Sequence, residues 1–298
     1  MKYFFRFLPF IAVIFAFLYF INLDIYNLRF SINLQFLFYS CIILFFVFFF
    51  RSLLWKIVLS KFNINIKFNV AVDSHFSTIL YKYIPGKVWG VIGKANIISQ
   101  YGYDLTTCSF ISFFLQLIMT ATGLIIGGLG IFLLKTIAEF NLLIYPLILF
   151  IALLLCFFRK KRYIPYFNSK FIPKKLATLF NKTIPPISDL ILLSFMQWLL
   201  LGIAYMIFIL SVGFNASILP IFLQPLANNI GIISSFTPSG LGVREAVMTA
   251  YLLLENISIK DATAISIISR IWFFSIEIFA FVCGIIIHSF IRKKSILY

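Results

Sequence analysis

Long apolar stretches dominate the chain and alternate with short polar segments. A helix needs about 20 apolar residues to cross the hydrocarbon core of a bilayer, with a range of roughly 17 to 25. Six stretches meet this requirement without interruption, at residues 4–21, 34–50, 106–134, 142–158, 190–212 and 262–291. The pattern therefore predicts an all-α polytopic membrane protein with about six full transmembrane helices, forming a single integral membrane domain over residues 1–298.

Two further apolar regions, 74–104 and 218–254, contain Pro and Gly at positions that a simple span would avoid. The six clean spans alternate correctly across the membrane if each interrupted region returns to the side from which it entered. We therefore predict two re-entrant helical hairpins that enter from opposite sides, in corresponding halves of the chain. Broken segments in this arrangement are typical of a transport site between inverted repeats.

Charge and composition support a membrane location. Hydrophobic residues make up 62% of the chain, and 25 Lys and Arg exceed 9 Asp and Glu, giving a net charge of +16. The basic residues gather near the ends of spans, around residues 2–6, 51–67, 159–182 and 292–294, where the positive-inside rule places cytoplasmic segments. We expect both termini in the cytoplasm and no nucleic-acid partner.

The sequence offers no cofactor or metal motif. The four cysteines stand alone in apolar runs, and His75 and His288 have no ligand partners at useful spacing. The segment GLIIGGLG at 123–130 follows no predicted strand, so it indicates close helix packing rather than a nucleotide-binding loop. We expect neither a cofactor nor a metal.

The first interrupted region contains YKYIPGKVWGVIGKANIISQYG at residues 81–102. Pro85 and Gly86 would end one helix, and a helix starting just after them would direct its positive end into the break. Gly90 and Gly93 would allow another backbone to approach closely.

Three cations, Lys82, Lys87 and Lys94, accompany this break with no acid inside the quoted stretch. One interpretation is an anion site, for example for a lipid phosphate. The other is a cytoplasmic loop that binds the lipid surface nonspecifically, with Trp89 in the interfacial aromatic belt. Spacing alone does not decide between them.

The second interrupted region contains SSFTPSGLGVREAVMTAYLL at residues 234–253. Thr237 is a suitable N-cap and Pro238 a suitable first residue for a new helix. Arg244 and Glu245 would point about 100° apart on that helix, so we expect each to need another partner.

The last span supplies candidate partners for these charges. Arg270 and Glu277 are seven residues apart and share one helical face, which predicts the cross-pairs Arg244–Glu277 and Glu245–Arg270. The pairs could simply lock the second hairpin to the last helix, or they could line a polar substrate cavity, as intramembrane charges generally do. Five amides in apolar stretches could line the same cavity or hydrogen-bond between helices: Gln116, Gln197, Gln224, Asn228 and Asn229.

The two motifs, YIPGKVWGVIGKA and TPSGLGVREA, resemble the transmembrane region of lysylphosphatidylglycerol synthases and its stand-alone, flippase-like relatives. The resemblance covers most of the chain. It assigns substrate-binding positions to Pro85, Gly86, Lys87, Trp89, Gly90, Gly93, Pro238, Gly240, Gly242, Arg244, Glu245 and Arg270. It implies a prokaryotic inner-membrane protein that moves a lipid between leaflets.

In lipid-modifying relatives, an aminoacyl-transferring domain follows the membrane region. Here only RKKSILY follows the last span, so we expect no synthase activity, and a lipid-linked sugar becomes an alternative to an aminoacylated phospholipid. We expect translocation of an anionic lipid by a protein that is not an enzyme. The alternatives are a membrane-embedded glycosyltransferase, which the single Asp24 in the first external loop disfavours, and a noncatalytic partner of a lipid- or glycan-modifying enzyme.

The predicted orientation can be tested with single cysteines at Ser169 and Ser295 in a background without native cysteines. Both positions follow basic clusters, so an impermeant maleimide should label neither in intact cells and both after permeabilisation. Labelling of either position in intact cells would contradict the orientation.

Overall fold

The computed structural model describes residues 31–84, 88–133, 188–214, 217–234 and 240–296, and within these ranges every regular element is helical. The helices are α1 (Leu34–Lys61), α2 (Phe68–Phe76), α3 (Trp89–Ser99), α4 (Leu105–Leu133), α5 (Ser188–Ser211), α6 (Pro220–Ile233), α7 (Val243–Leu254) and α8 (Ile259–Ile296). A 3₁₀ turn, Ile79–Tyr83, lies between α2 and α3. The predicted all-α class is confirmed.

Four of these helices, α1, α4, α5 and α8, are long and apolar enough to cross a membrane. They contain between 24 and 38 residues, or at least about 36 Å of helix at 1.5 Å per residue. They correspond to the predicted spans 34–50, 106–134, 190–212 and 262–291. The predicted spans at 4–21 and 142–158 lie outside the described residues.

The other four helices are short and occupy the two interrupted regions. They contain 9 and 11 residues in the first region and 14 and 12 in the second. At most about 21 Å long, none of them could cross a hydrocarbon core of about 30 Å alone.

The helix after the second break begins later than the sequence predicted. It starts at Val243, because the preceding Gly240 and Gly242 have φ angles of +70° and +82°, which a right-handed helix excludes. The predicted cap Thr237 and first residue Pro238 lie outside the described residues.

The described helices form two matching sets of long, short, short and long helices. The first residues of α1 and α5, of α3 and α7, and of α4 and α8 are each 154 residues apart. The loop before the last helix of each set repeats as well, because Gly102 and Asn256, also 154 residues apart, both have positive φ angles. This constant spacing identifies an internal structural repeat.

The two sets interlock. Helices α1 and α5 pack together, α4 of the first set packs on α6 of the second, and α8 of the second set packs on α2 of the first. Small residues allow the α4–α6 contact, since a methyl group on Gly127 would come within 2.6 Å of the Leu226 Cβ. The predicted role of GLIIGGLG in helix packing is therefore confirmed.

Each half of the chain has three spans if the sequence-predicted spans at 4–21 and 142–158 are added to the four long helices. An odd number of crossings places successive repeats in opposite orientations, so this count predicts an inverted repeat.

The turn before α7 generates a stability prediction. Gly240 packs against the α6 backbone, and an added Cβ would come within 2.5 Å of the Gly231 Cα, whereas a Cβ on Gly242 would meet nothing within 4 Å. Gly242→Ala should therefore cost only the backbone strain of a side chain at φ +82° and ψ −47°, about 1–3 kcal/mol. Gly240→Ala should lower the melting temperature in detergent by several degrees more, because it adds the clash. Equal losses in the two variants would contradict the close packing of this turn on α6.

Candidate functional site

A cavity of about 200 Å³ lies between the two halves of the described structure. Almost every described helix contributes to it. Its polar lining includes Arg51 on α1, His75 on α2, Lys82 on the 3₁₀ turn, Lys94 on α3, Gln116 on α4, Asn228 on α6 and Arg270 on α8.

Two of the cations in the cavity, Arg51 and Lys94, have no acidic partner in the described part of the chain. Within the described ranges, no carboxylate oxygen lies within the 4.0 Å of an ion pair from either side chain. Arg51 instead lies 5.6 Å from the Trp198 ring centre, and Lys94 lies 6.0 Å from that of Trp55. A partly buried cation without a counterion is costly, so these two groups favour an anionic ligand.

The same cavity contains polar atoms without hydrogen-bond partners. His75 is only 6% exposed, and neither of its ring nitrogens has a hydrogen-bond partner among the described residues. The Nε of Arg51 is also buried and lacks a partner among them. Buried donors are nearly always satisfied in proteins, so these atoms indicate a place for a hydrogen-bonding ligand or water.

A buried carboxylate joins the two halves beside the cavity. Glu277 on α8 is fully buried, and its Oε1 forms an ion pair with Lys82. Tyr83 donates a hydrogen bond of 2.8 Å to the other oxygen, Oε2. Both partners come from the 3₁₀ turn of the first half, so Glu277 fixes that turn against α8. Glu277 also attracts Arg51 through space, but both of its oxygens are already bound.

A second carboxylate holds two arginines. The Oε1 of Glu245 lies 3.2 Å from Arg244 Nη1 and 3.6 Å from Arg270 Nη1. Its Oε2 accepts a 2.8 Å hydrogen bond from the backbone N–H of Gly242. Arg244 also donates to Gln224 on α6 over 3.3 Å.

Of the two predicted cross-pairs, Glu245–Arg270 is confirmed and Arg244–Glu277 is wrong, because Glu277 binds Lys82 and Tyr83 instead. The expectation that Arg244 and Glu245 each need another partner is confirmed, since Glu245 also pairs with Arg270 and Arg244 also donates to Gln224, but the two residues contact each other as well. Glu245 turns back to the helix start at Gly242, which brings its other oxygen within reach of the flexible Arg244 side chain.

The other predicted site residues lie at various distances from the cavity. Gly90 lines it together with Lys82, Lys94 and Arg270. Gly93 packs on the Tyr81 ring, and Trp89 is 38% exposed. Gly240 and Gly242 shape the turn before α7. The remaining predicted residues, Pro85, Gly86, Lys87 and Pro238, lie outside the described residues.

The sequence pattern did not place the two titratable residues Arg51 and His75 in the cavity. It assigns Arg51 to a cytoplasmic basic cluster and bears on His75 only as a metal ligand. The signal for Arg51 was the apolar pattern that continues beyond it, because SLLWKIVLS at 52–60 extends the span and so places Arg51 inside α1.

The model of the lysylphosphatidylglycerol synthase transmembrane region matches residues 4–279. The chain belongs to this family. The resemblance seen in the two sequence motifs is thereby confirmed, and the family is one of membrane proteins whose name is consistent with a lipid-related function. The chain is also similar to a UPF0104 membrane protein of Methanocaldococcus jannaschii, with 36% identity over 106 residues. That match covers 35% of this chain and 45% of the relative, and no solved structure matches.

In this member of the family, the partner of Glu277 can be tested with a double-mutant cycle. Glu277→Gln should lower stability by about 3 kcal/mol, because it leaves Lys82 without its counterion. Adding Lys82→Met should restore part of that loss, whereas adding Arg244→Gln should produce an approximately additive loss. The stabilities of the three single and two double variants are measured by unfolding in detergent. Rescue by Arg244→Gln but not by Lys82→Met would contradict the observed pairing.

Proposed function

We propose that this protein moves an anionic lipid between the leaflets of a membrane. The headgroup phosphate enters the cavity between the two halves, and the acyl chains stay in the bilayer. One observation carries this proposal: Arg51 and Lys94 face the cavity without a carboxylate partner in the described part of the chain. An anion entering the cavity would supply the missing countercharge.

The placement of the cavity supports movement rather than simple storage of a lipid. Its lining comes from both halves, which the sequence count places in opposite orientations. We propose that the α2–α3 and α6–α7 pairs are re-entrant, so that the cavity can be reached from each leaflet in turn. The location we propose is a prokaryotic inner membrane, with both termini in the cytoplasm.

Lys82 provides a link between binding and movement. It lines the cavity and holds Glu277 on α8 of the other half. An arriving phosphate competes with Glu277 for Lys82 and so weakens the contact between the 3₁₀ turn and α8. The lipid would then shift the protein from one conformation to another because it binds the two with different affinity. No chemical step is needed.

The proposal can be tested by neutralising the unpaired cations. Arg51→Gln and Lys94→Gln should each slow translocation at least tenfold, because each removes a countercharge for the phosphate. Lys67→Gln is the matched control, because Lys67 is exposed and does not line the cavity. The assay follows the loss of dithionite-accessible fluorescent phosphatidic acid from the outer leaflet of phosphatidylcholine vesicles containing the purified protein.

Normal translocation by both cavity variants, at unchanged melting temperature, would contradict the proposed role of the cavity. Equal slowing by Lys67→Gln would assign the basic residues to general attraction of the lipid surface.

A further inference from the structure

We infer that the cavity is matched to a lipid whose headgroup carries more than one negative charge, a phosphate monoester or a diphosphate, rather than to a phosphodiester. The inference rests on the proposed function in one respect, namely that the cavity holds the headgroup of a lipid.

Positive charge exceeds negative charge among the described residues at the cavity. The cavity and its adjoining ion pairs contain five cations, Arg51, Lys82, Lys94, Arg244 and Arg270. They contain two carboxylates, Glu245 and Glu277. The described residues at this place therefore have a surplus of three positive charges, with His75 counted as neutral.

A ligand with one negative charge would leave most of this surplus uncompensated. A phosphodiester has a single negative charge, so two positive charges would remain without partners in a partly buried site. A phosphate monoester carries about 1.5 to 2 negative charges at neutral pH, because its second pKa is about 6. A diphosphate monoester carries still more charge and fits the surplus better.

The cavity also contains hydrogen-bond donors that have no partner among the described residues. In this described part of the chain, Arg51 Nε and a ring nitrogen of His75 are buried without partners, and Lys94 adds an ammonium group that has no carboxylate. A phosphate monoester presents three strong acceptor oxygens. Esterification of a second oxygen removes one of these charged acceptors and would leave one of the three groups less well satisfied.

The cavity is small for a ligand site. Sites for drug-sized molecules usually measure about 300 to 1,000 Å³. The cavity here measures about 200 Å³, which suits one or two phosphate groups and leaves little room for a bulky headgroup.

The test uses three ligands with one apolar chain and different headgroup charges: farnesyl phosphate, farnesyl diphosphate and methyl farnesyl phosphate diester. Binding to the full chain in a nonionic detergent is followed by tryptophan fluorescence, since Trp198 lines the cavity. At pH 7.5, we expect the monoester and the diphosphate to bind at least tenfold more tightly than the diester.

Variants show whether this discrimination comes from the cavity. Arg51→Gln and Lys94→Gln should each reduce the monoester-to-diester affinity ratio to threefold or less, while Lys67→Gln should leave it unchanged. The melting temperature of each variant provides the control for folding.

Affinities of the three ligands within twofold of one another, or no binding of any of them, would overturn the inference. An unchanged ratio in both cavity variants would also overturn it. If the affinities follow the expected order but vesicles containing the protein translocate no lipid, the proposed function fails and the ligand class stands.

Discussion

A carboxylate buried in a membrane protein is stable only if neighbouring groups replace the water it has lost. Glu277 meets this requirement through Lys82 and Tyr83, which both belong to the other half of the chain. The position of the 3₁₀ turn against α8 therefore depends on this interaction. The cavity depends on it too, because Lys82 lines the cavity and at the same time holds the carboxylate.

The internal repeat explains where the cavity lies and why its charge is asymmetric. Gln116 and Arg270 are 154 residues apart, as are Met119 and Phe273, and all four line the cavity. The cavity therefore lies where equivalent positions of the two halves meet. Elsewhere the halves differ, since Arg51 in the first half corresponds by the same spacing to Tyr205 in the second. Two similar backbones thus support different chemistry on their two sides.

The sequence motifs predicted the segments that lie beside the cavity better than they predicted the contacts between the charged side chains of those segments. Spacing along a helix placed Arg270 and Glu277 on one face, and the structure brings both beside the cavity. It gave no information on which of several cations reaches Glu277, because that depends on the approach of the 3₁₀ turn from the other half. Helical side-chain directions correctly indicated that Arg244 and Glu245 each need another partner, but they did not predict the direct contact of 3.2 Å between the two long side chains.

By itself, the sequence determined the helical class, the four long helices and the two interrupted regions, because these follow from apolar length and from Pro and Gly. It also identified the family, through two local motifs. Only the tertiary structure decided that Arg51 and His75 belong to the site and that Lys82 is the partner of Glu277. These facts depend on contacts between residues up to 195 positions apart, and such contacts arise from the interlocking of the two halves rather than from any local pattern.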